Sequence, residues 1–227
     1  MSDCGKIFPL WREAAAPHWQ AYTQHEFVQG LGNGRLPRAA FMAYLKQDYL
    51  FLIHFARAWA LGVTKAESIA EMRHCAETVD ALINHEMALH MGICAEAGIS
   101  EKQLLQTEEA FENIAYTRYV LDAGHSGDFL DLLAALAPCV LGYGEIGKAL
   151  AAQAGKSPYR QWIETYAEAE YQELCGSVGA LLDKAVTQRL GPDPQASPRW
   201  QKLCHRFTTA TRLEVSFWDM GLRLGAV

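Results

Sequence analysis

The sequence predicts an all-α fold, a multi-helix bundle in one domain spanning residues 1–227, and three observations predict it. Apolar residues recur at gaps of three and four along most of the chain, the period of a helix with one buried face. Capping residues and prolines stand where such segments begin. No hairpin signal, alternating strand run or short-period repeat interrupts the pattern. Roughly seven helices are expected, some long enough for a bundle core.

In chain order, 7–29 is helical in pattern, with Phe8, Trp11 and Ala15 leading into Trp19, Tyr22 and Phe27. The turn-rich Gly30-Leu-Gly-Asn-Gly34 should end it. Pro37 suits a helix start, and 37–62 is apolar almost all round, as a helix buried on most sides would be. Its clearest seam is Phe41, Leu45, Asp48, Leu52, Phe55 and Trp59. Thr64-Lys-Ala-Glu67 has the form of a capping box for the next helix, with the seam Met72, Cys75, Val79, Leu82, Glu86, Leu89 and Ile93. Gly98 should close it, and Ser100-Glu-Lys-Gln103 offers a second box before a segment running through Tyr116 and Tyr119 to Gly124. Ser157-Pro158 opens a helix with Trp162, Tyr166 and Tyr171, and Ser197-Pro198 opens another after the loop 191–198. The last seam is Trp200, Leu203, Phe207, Ala210, Glu214 and Phe217.

Between these lies Leu132–Leu150, beginning a helix from about Asp128 and nearly free of charge. It is too short for a membrane span and too rich in Ala and Leu for a strand. Leu132, Leu136, Cys139, Tyr143, Ile146 and Leu150 form its stripe. A thiol and a phenol therefore stand where packing would want leucines. Gly142, Gly144 and Gly147 imply either close backbone approach or room for a ligand.

Half the residues are apolar and 20% are charged, ordinary for a folded domain. A net charge of −6 without Lys/Arg runs argues against nucleic acid or anionic lipid as partner. The N-terminus lacks an apolar signal region, and the six cysteines show no CxxC pairing. Reduced thiols in a cytoplasm are the expectation.

Asp48, Glu86, Glu214 and the Cys139/Tyr143 pair all occupy slots where leucine would pack. An ionised carboxylate buried without partners costs several kcal/mol or more, so each must be hydrogen-bonded, paired, metal-bound or facing a cavity. Singly, each is compatible with a structural network; together they point to a shared polar pocket. Asp48 with Phe51 and Glu214 with Phe217 are both i, i+3 pairs, setting a carboxylate beside an aromatic face. That suits a flat, nitrogen-bearing ring. A metal site is the competing reading, since Glu71-x-x-His74, His85-Glu86 and His90 share one segment and Glu145 follows. Only one Glu-x-x-His appears, however, and His85 and His90 diverge by about 140° round a helix.

The stretches His25-x-Phe27-Val-Gln-Gly-Leu-Gly-Asn-Gly-x-Leu-Pro37, Gln47-Asp48, His54-Phe-Ala56 and Glu86-Met-Ala-Leu-His90 form an ordered motif set. Ala115-Tyr-Thr117, Leu133-Ala-Ala-Leu-x-Pro-Cys139, Tyr143-x-Glu145-x-Gly147, Trp162-Ile-x-Thr-Tyr166 and Glu214-x-x-Phe-Trp218 continue it. In these the sequence resembles the TenA family (thiaminase II, aminopyrimidine aminohydrolase), a haem-oxygenase-like all-α fold, over most of its length. The resemblance implies Cys139 as catalytic thiol, Asp48 as the carboxylate on the aminopyrimidine edge and Glu214 as the carboxylate beside the scissile substituent. It implies Tyr116, Tyr143 and Tyr166 as site tyrosines, with Tyr116 and Tyr166 orienting the catalytic Cys139 and Glu214, and Phe217 as a ring contact. Phe51 stands where many members carry tyrosine, which leaves stacking but removes one hydroxyl. The implied reaction replaces the amine on the methylene arm of 4-amino-5-aminomethyl-2-methylpyrimidine by water, with thiamin as a second candidate substrate. No metal or organic cofactor is implied, and a homotetramer is. The competitors are a metal-dependent oxidase on the same fold, using Glu86, His90 and Glu145, and a non-catalytic pyrimidine-binding regulator.

Overall fold

The computed structural model describes residues 4–152 and 155–226; both ends of the expected 1–227 domain fall outside them. Among the described residues there is no strand, and twelve α-helices appear where about seven were expected. The excess comes from segments that read as single helices and are broken by specific residues.

Residues 7–29 form three short helices and not one: α1 (Ile7–Ala14), α2 (Ala16–Thr23) and α3 (Glu26–Asn33). Pro17 falls in the first turn of α2, where its missing N–H is harmless but where it interrupts any helix arriving from α1. His25 caps α3, its Nδ1 accepting from the Phe27 N–H. Gly30 and Gly32 continue α3; the chain turns only at Gly34, whose φ of 74° is a left-handed conformation suited to glycine. Pro37 is the N-cap of α4 (Arg38–Lys65), which is buried on most sides and carries Tyr44, Asp48 and Phe51.

The helix start expected at Thr64 lies four residues later, with a side-chain cap in place of a capping box. Thr64 belongs to α4 and donates to the Leu61 carbonyl. α5 (Ile69–Ala81) starts instead at Ser68, whose hydroxyl accepts from the Glu71 N–H, while Glu71 accepts from the Glu67 N–H. α5 runs into a π-helical segment, Leu82–Glu86, and on into α6 (Met87–Glu96). A π-turn holds one residue more than an α-turn. The expected seam therefore fails downstream of the turn, where Leu89 and Ile93 are only half-buried and His90 and Cys94 take the buried positions; upstream, Met72 is exposed and Glu71 is buried instead.

α7 (Glu101–Leu105) has the predicted Ser100/Gln103 capping box, and α8 (Phe111–Ser126) follows. α9 (Phe129–Ala151) begins with a reciprocal Asp128/Asp131 box, which Arg199 and Arg206 brace from across the bundle. The Ser157-Pro158 start is displaced: Ser157 accepts from the Tyr159 N–H, and α10 (Arg160–Ala167) begins after it. Glu168, with ψ near 156°, breaks the helix again, so Tyr171 lies on α11 (Ala169–Leu190) and not beside Trp162 and Tyr166. α12 (Trp200–Gly225) buries every residue of its predicted seam.

α9 is the axis of the bundle, packed by α4, α8, α10, α11 and α12. At 23 residues it is long and apolar enough to cross a membrane, contrary to the expectation from Leu132–Leu150, but 94% of its apolar window is buried inside the protein. No disulfide joins the six cysteines. The α9 glycines allow close approach and do not leave a void. A Cβ at Gly142 would strike the Tyr22 ring, one at Gly144 the Cys175 sulfur, and one at Gly147 the Tyr166 backbone at 2.6 Å. Gly147→Ala is therefore expected to destabilise the protein by about 1–3 kcal/mol, despite alanine's better helix propensity. Urea denaturation measures it, and a neutral or stabilising result would show that α10 can yield.

Candidate active site

The carboxylates, thiol and aromatics picked out in the sequence meet around the middle of α9. Asp48 and Phe51 arrive from α4, Tyr116 from α8, Cys139 and Tyr143 from α9, Tyr166 from α10, and Glu214 and Phe217 from α12. All are buried.

They form two linked clusters. In the first, the Tyr116 hydroxyl donates to Glu214 Oε1 at 2.7 Å, and the Cys139 thiol interacts electrostatically with the same carboxyl. Phe51 packs on Tyr116 at a centroid distance of 4.9 Å and meets Phe217 edge to face at 5.5 Å. A flat ring enters between the two phenyls only if they part. In the second cluster, the Tyr44 hydroxyl donates to Asp48 Oδ2 at 3.0 Å and lies 3.2 Å from the Tyr143 hydroxyl. His90 Nδ1 is 3.1 Å from the same Asp48 oxygen, with its ring turned off the hydrogen-bond line. Tyr166 donates to Glu86 Oε1 at 2.8 Å and lies 3.4 Å from His90 Nε2. Tyr166 thus serves Glu86, not the Cys139–Glu214 pair it was expected to orient.

Burial dominates the electrostatics. It pushes the Glu214 carboxyl up to about 8, against the hydrogen bond from Tyr116 and the nearby Cys139 thiol. It pushes Glu86 up to about 7, against the bond from Tyr166. Asp48 is raised by burial and then by the neighbouring Glu86. His90 falls to about 4 by burial and is a neutral ring at ordinary pH. The Cys139 thiol is held well above its usual range, by burial first and Glu214 second. The resting group is therefore a thiol with a carboxyl partner, not a free thiolate.

A cavity of about 330 Å³ reaches this region, its walls including Glu86, Cys139, Val140, Tyr166 and Tyr171. Asp48, Phe51, Tyr116, Tyr143, Glu214 and Phe217 stand behind that wall. Cys139, Glu86 and Tyr166 are thus the points where the packed polar interior meets open space.

The metal-ligand set considered from sequence is not assembled. Glu145 faces α1 and α2, where it pairs with Arg12 at 2.9 Å and accepts from Trp19 Nε1 at 3.2 Å. Among the described residues no three His, Cys, Asp or Glu side chains are grouped for an ion. Two members of the clusters, Tyr44 and Tyr22, escaped the sequence reading, and a third, His90, has only a metal-ligand role there. Tyr44 is i−4 from Asp48, a spacing that could have found it. The burial of His90 was hidden by the π-turn. Tyr22 approaches Glu214 from α2, and nothing in its own helix marks it.

The TENA/THI-4/PQQC family model matches residues 12–224. The chain belongs to this family. Within the TENA/THI-4/PQQC family it is 39% identical to the aminopyrimidine aminohydrolase of Halalkalibacterium halodurans, over 92% of each chain. A crystal structure from Silicibacter sp. TM1040, described as a TenA family transcription regulator, is 58% identical, with a TM-score of 0.96 over 98% of this chain and 99% of that one. A Shewanella denitrificans domain with a heme oxygenase-like fold superposes with a TM-score of 0.72 at 14% identity, covering 96% of this chain and 92% of that one. The haem-oxygenase-like bundle expected from sequence is the fold observed.

Proposed function

We propose that this family member is an aminopyrimidine aminohydrolase of thiamin salvage. It would convert 4-amino-5-aminomethyl-2-methylpyrimidine to the 5-hydroxymethyl product with release of ammonia. The observation that carries the reading is the Cys139–Glu214–Tyr116 cluster set against an open cavity. The 39% identical aminopyrimidine aminohydrolase supports it.

The chemical obstacle is a poor leaving group on a ring that resists substitution. Addition of the Cys139 sulfur to the ring, with the thiol proton passing to a ring nitrogen, breaks aromaticity and lets the ring electrons expel the amine. Water then adds at the methylene carbon, and the sulfur leaves with the ring-nitrogen proton to restore the ring. Asp48 takes the amidine edge and balances charge as the sulfur adds. Glu214, protonated up to about pH 8, gives its proton to the departing amine, and its carboxylate then draws a proton from water. Tyr116 fixes that carboxyl. Phe51, Tyr143, Tyr166 and Phe217 shape the ring and arm pocket. Thiamin, with a thiazolium leaving group, is a second candidate substrate. A cytoplasmic homotetramer completes the proposal; light scattering of the eluted protein tests the assembly.

A regulatory role, the one the Silicibacter relative is named for, is the competing reading. The two readings separate on turnover. A regulator binds the pyrimidine without releasing ammonia, and the net charge of −6 offers little to DNA phosphates. The deciding experiment is an ammonia-release assay on the aminomethyl pyrimidine, its formyl derivative and thiamin, with Cys139→Ser as blank. No release above the blank from any of the three would end the enzymatic reading.

Phe51 is packed by Phe55, Tyr116 and Phe217, so a hydroxyl added there meets a crowded wall. Phe51→Tyr is expected to change kcat/KM by less than about tenfold and to shift the ranking of the three substrates. Unchanged kinetics on all three would make the missing hydroxyl immaterial.

A further inference from the structure

Glu86 and His90 carry no part of the reaction just proposed, yet both are polar groups at the cavity end of the site, His90 fully buried and Glu86 half-buried. Four side chains run in series. Asp48 Oδ2 lies 3.1 Å from His90 Nδ1, His90 Nε2 lies 3.4 Å from the Tyr166 hydroxyl, and that hydroxyl donates to Glu86 Oε1 at 2.8 Å. One carboxyl is at each end, and each middle member can both give and take a proton. Glu86 faces the cavity beside Cys139, whereas Asp48 does not reach it. The groups acting on the two ends are each other, Glu214, and the Tyr44 and Tyr166 hydroxyls; no Lys or Arg is among them.

We propose that Asp48 and Glu86 share a single proton through His90 and Tyr166, so that the form of Asp48 which meets the ring sets the charge on Glu86 at the cavity wall. The transfer balances bond by bond. As the Asp48 O–H breaks, an N–H forms at His90 Nδ1. The His90 Nε2–H passes to the Tyr166 oxygen, and the former Tyr166 proton passes to Glu86. Total charge is unchanged, the negative charge moves from Glu86 to Asp48, and His90 changes tautomer from Nε2–H to Nδ1–H. His90 needs only a small ring rotation to line Nδ1 up with Asp48. Burial keeps both carboxyls within reach of protonation and His90 neutral, which suits such a chain.

The arrangement has a consequence for selectivity, and this part rests on the aminohydrolase reading. A neutral aminopyrimidine edge offers an acceptor nitrogen beside an N–H donor, and a protonated carboxyl complements both. With the proton on Asp48, Glu86 is an anion facing the methylene arm. A cationic arm is then favoured over a neutral one on entry. Once it has passed its extra proton to Glu86, the neutral amine takes the Glu214 proton as it leaves. His90 is a positioning residue in this scheme, acting on the ring only through Asp48.

Long-range 15N spectra of the histidines in the full-length, ligand-free protein read the relay without turnover. Glu86→Gln removes one end without touching His90, so Asp48 keeps the charge and His90 moves toward the Nδ1–H tautomer. The same substitution in a Tyr166→Phe background leaves the tautomer ratio where Tyr166→Phe alone puts it. An unchanged His90 in Glu86→Gln, or an equal shift in both backgrounds, overturns the relay. Kinetics then read selectivity: Glu86→Gln should lower kcat/KM about tenfold for the aminomethyl substrate, and by less than about twofold for the neutral formyl derivative. Equal losses on both would overturn the charge argument. If the wild-type protein releases ammonia from neither, the aminohydrolase reading fails, and the spectra still decide the relay.

Discussion

Cys139→Ser is expected to release ammonia from the aminomethyl pyrimidine at least about a thousandfold more slowly than the wild-type protein, the scale on which loss of a nucleophile acts. Serine keeps the shape of the side chain and can hydrogen-bond Glu214, so the fold and pocket should persist. What is lost is the polarizable sulfur. The Cys139 thiol sits well above its usual range because burial and the Glu214 carboxyl both disfavour its anion. Serine, a far weaker acid, would be harder still to ionise there. The clean measurement is single-turnover ammonia release, with circular dichroism and pyrimidine binding recorded on the same sample. Turnover near wild type with intact binding would mean that water attacks directly and that the thiol is a packing residue.

Glu214→Gln is expected to be nearly as damaging to catalysis, about a hundredfold or more, and to leave a second mark on stability. Glutamine keeps the bond from Tyr116 but has no proton to give a departing amine. The folded carboxyl titrates near 8, far above an unfolded glutamate at 4.5, so between those values the folded state holds more protons than the unfolded state. Stability from this group is complete below pH 4.5 and is lost as pH rises through 8. His90 works in the opposite sense, but only between about 4 and its ordinary 6.5. From pH 6.5 to 8 the raised carboxyls act alone, and Glu214 by itself should remove about 2 kcal/mol. Urea denaturation at the two pH values, on wild type and Glu214→Gln, tests this. A wild-type protein equally stable at both, or a slope unchanged by the substitution, would show that Glu214 is not the buried acid described.

How far the sequence foretold this arrangement depended on whether helical period was kept. In α4, α9 and α12 the period is regular, and a carboxylate or thiol in a leucine slot marked Asp48, Cys139 and Glu214 as interior polar groups before any roles were assigned. The TenA resemblance then supplied roles that period alone could not. Period misled where backbone detail intervened. Glu86 was placed in the seam with Leu89 and Ile93 as companions, whereas its buried companion is His90. Tyr166 was given to Glu214, because its partner depends on how α10 lies across α9, a matter of tertiary packing against Gly147. The short first helices and the break at Glu168 turn on single prolines and single dihedral angles, which a periodicity reading averages away.

The π-turn at Leu82–Glu86 gives the rod from Ile69 to Glu96 two registers. Upstream of it the rod meets its neighbours in one phase, and downstream it is offset by about 100°, the angle that one helical residue subtends. Removing a single residue from the turn would leave a regular helix whose downstream half keeps its phase, with His90 and Cys94 still inward. Closing the turn to α geometry with every residue kept would instead swing the downstream half round, so that Leu89 and Ile93 come inward and His90 leaves Asp48. The turn absorbs one extra residue, and a further insertion here would not be a neutral length change. Two residues of the polar interior hang on one irregular turn, and the irregularity, more than either side chain, is what places them there.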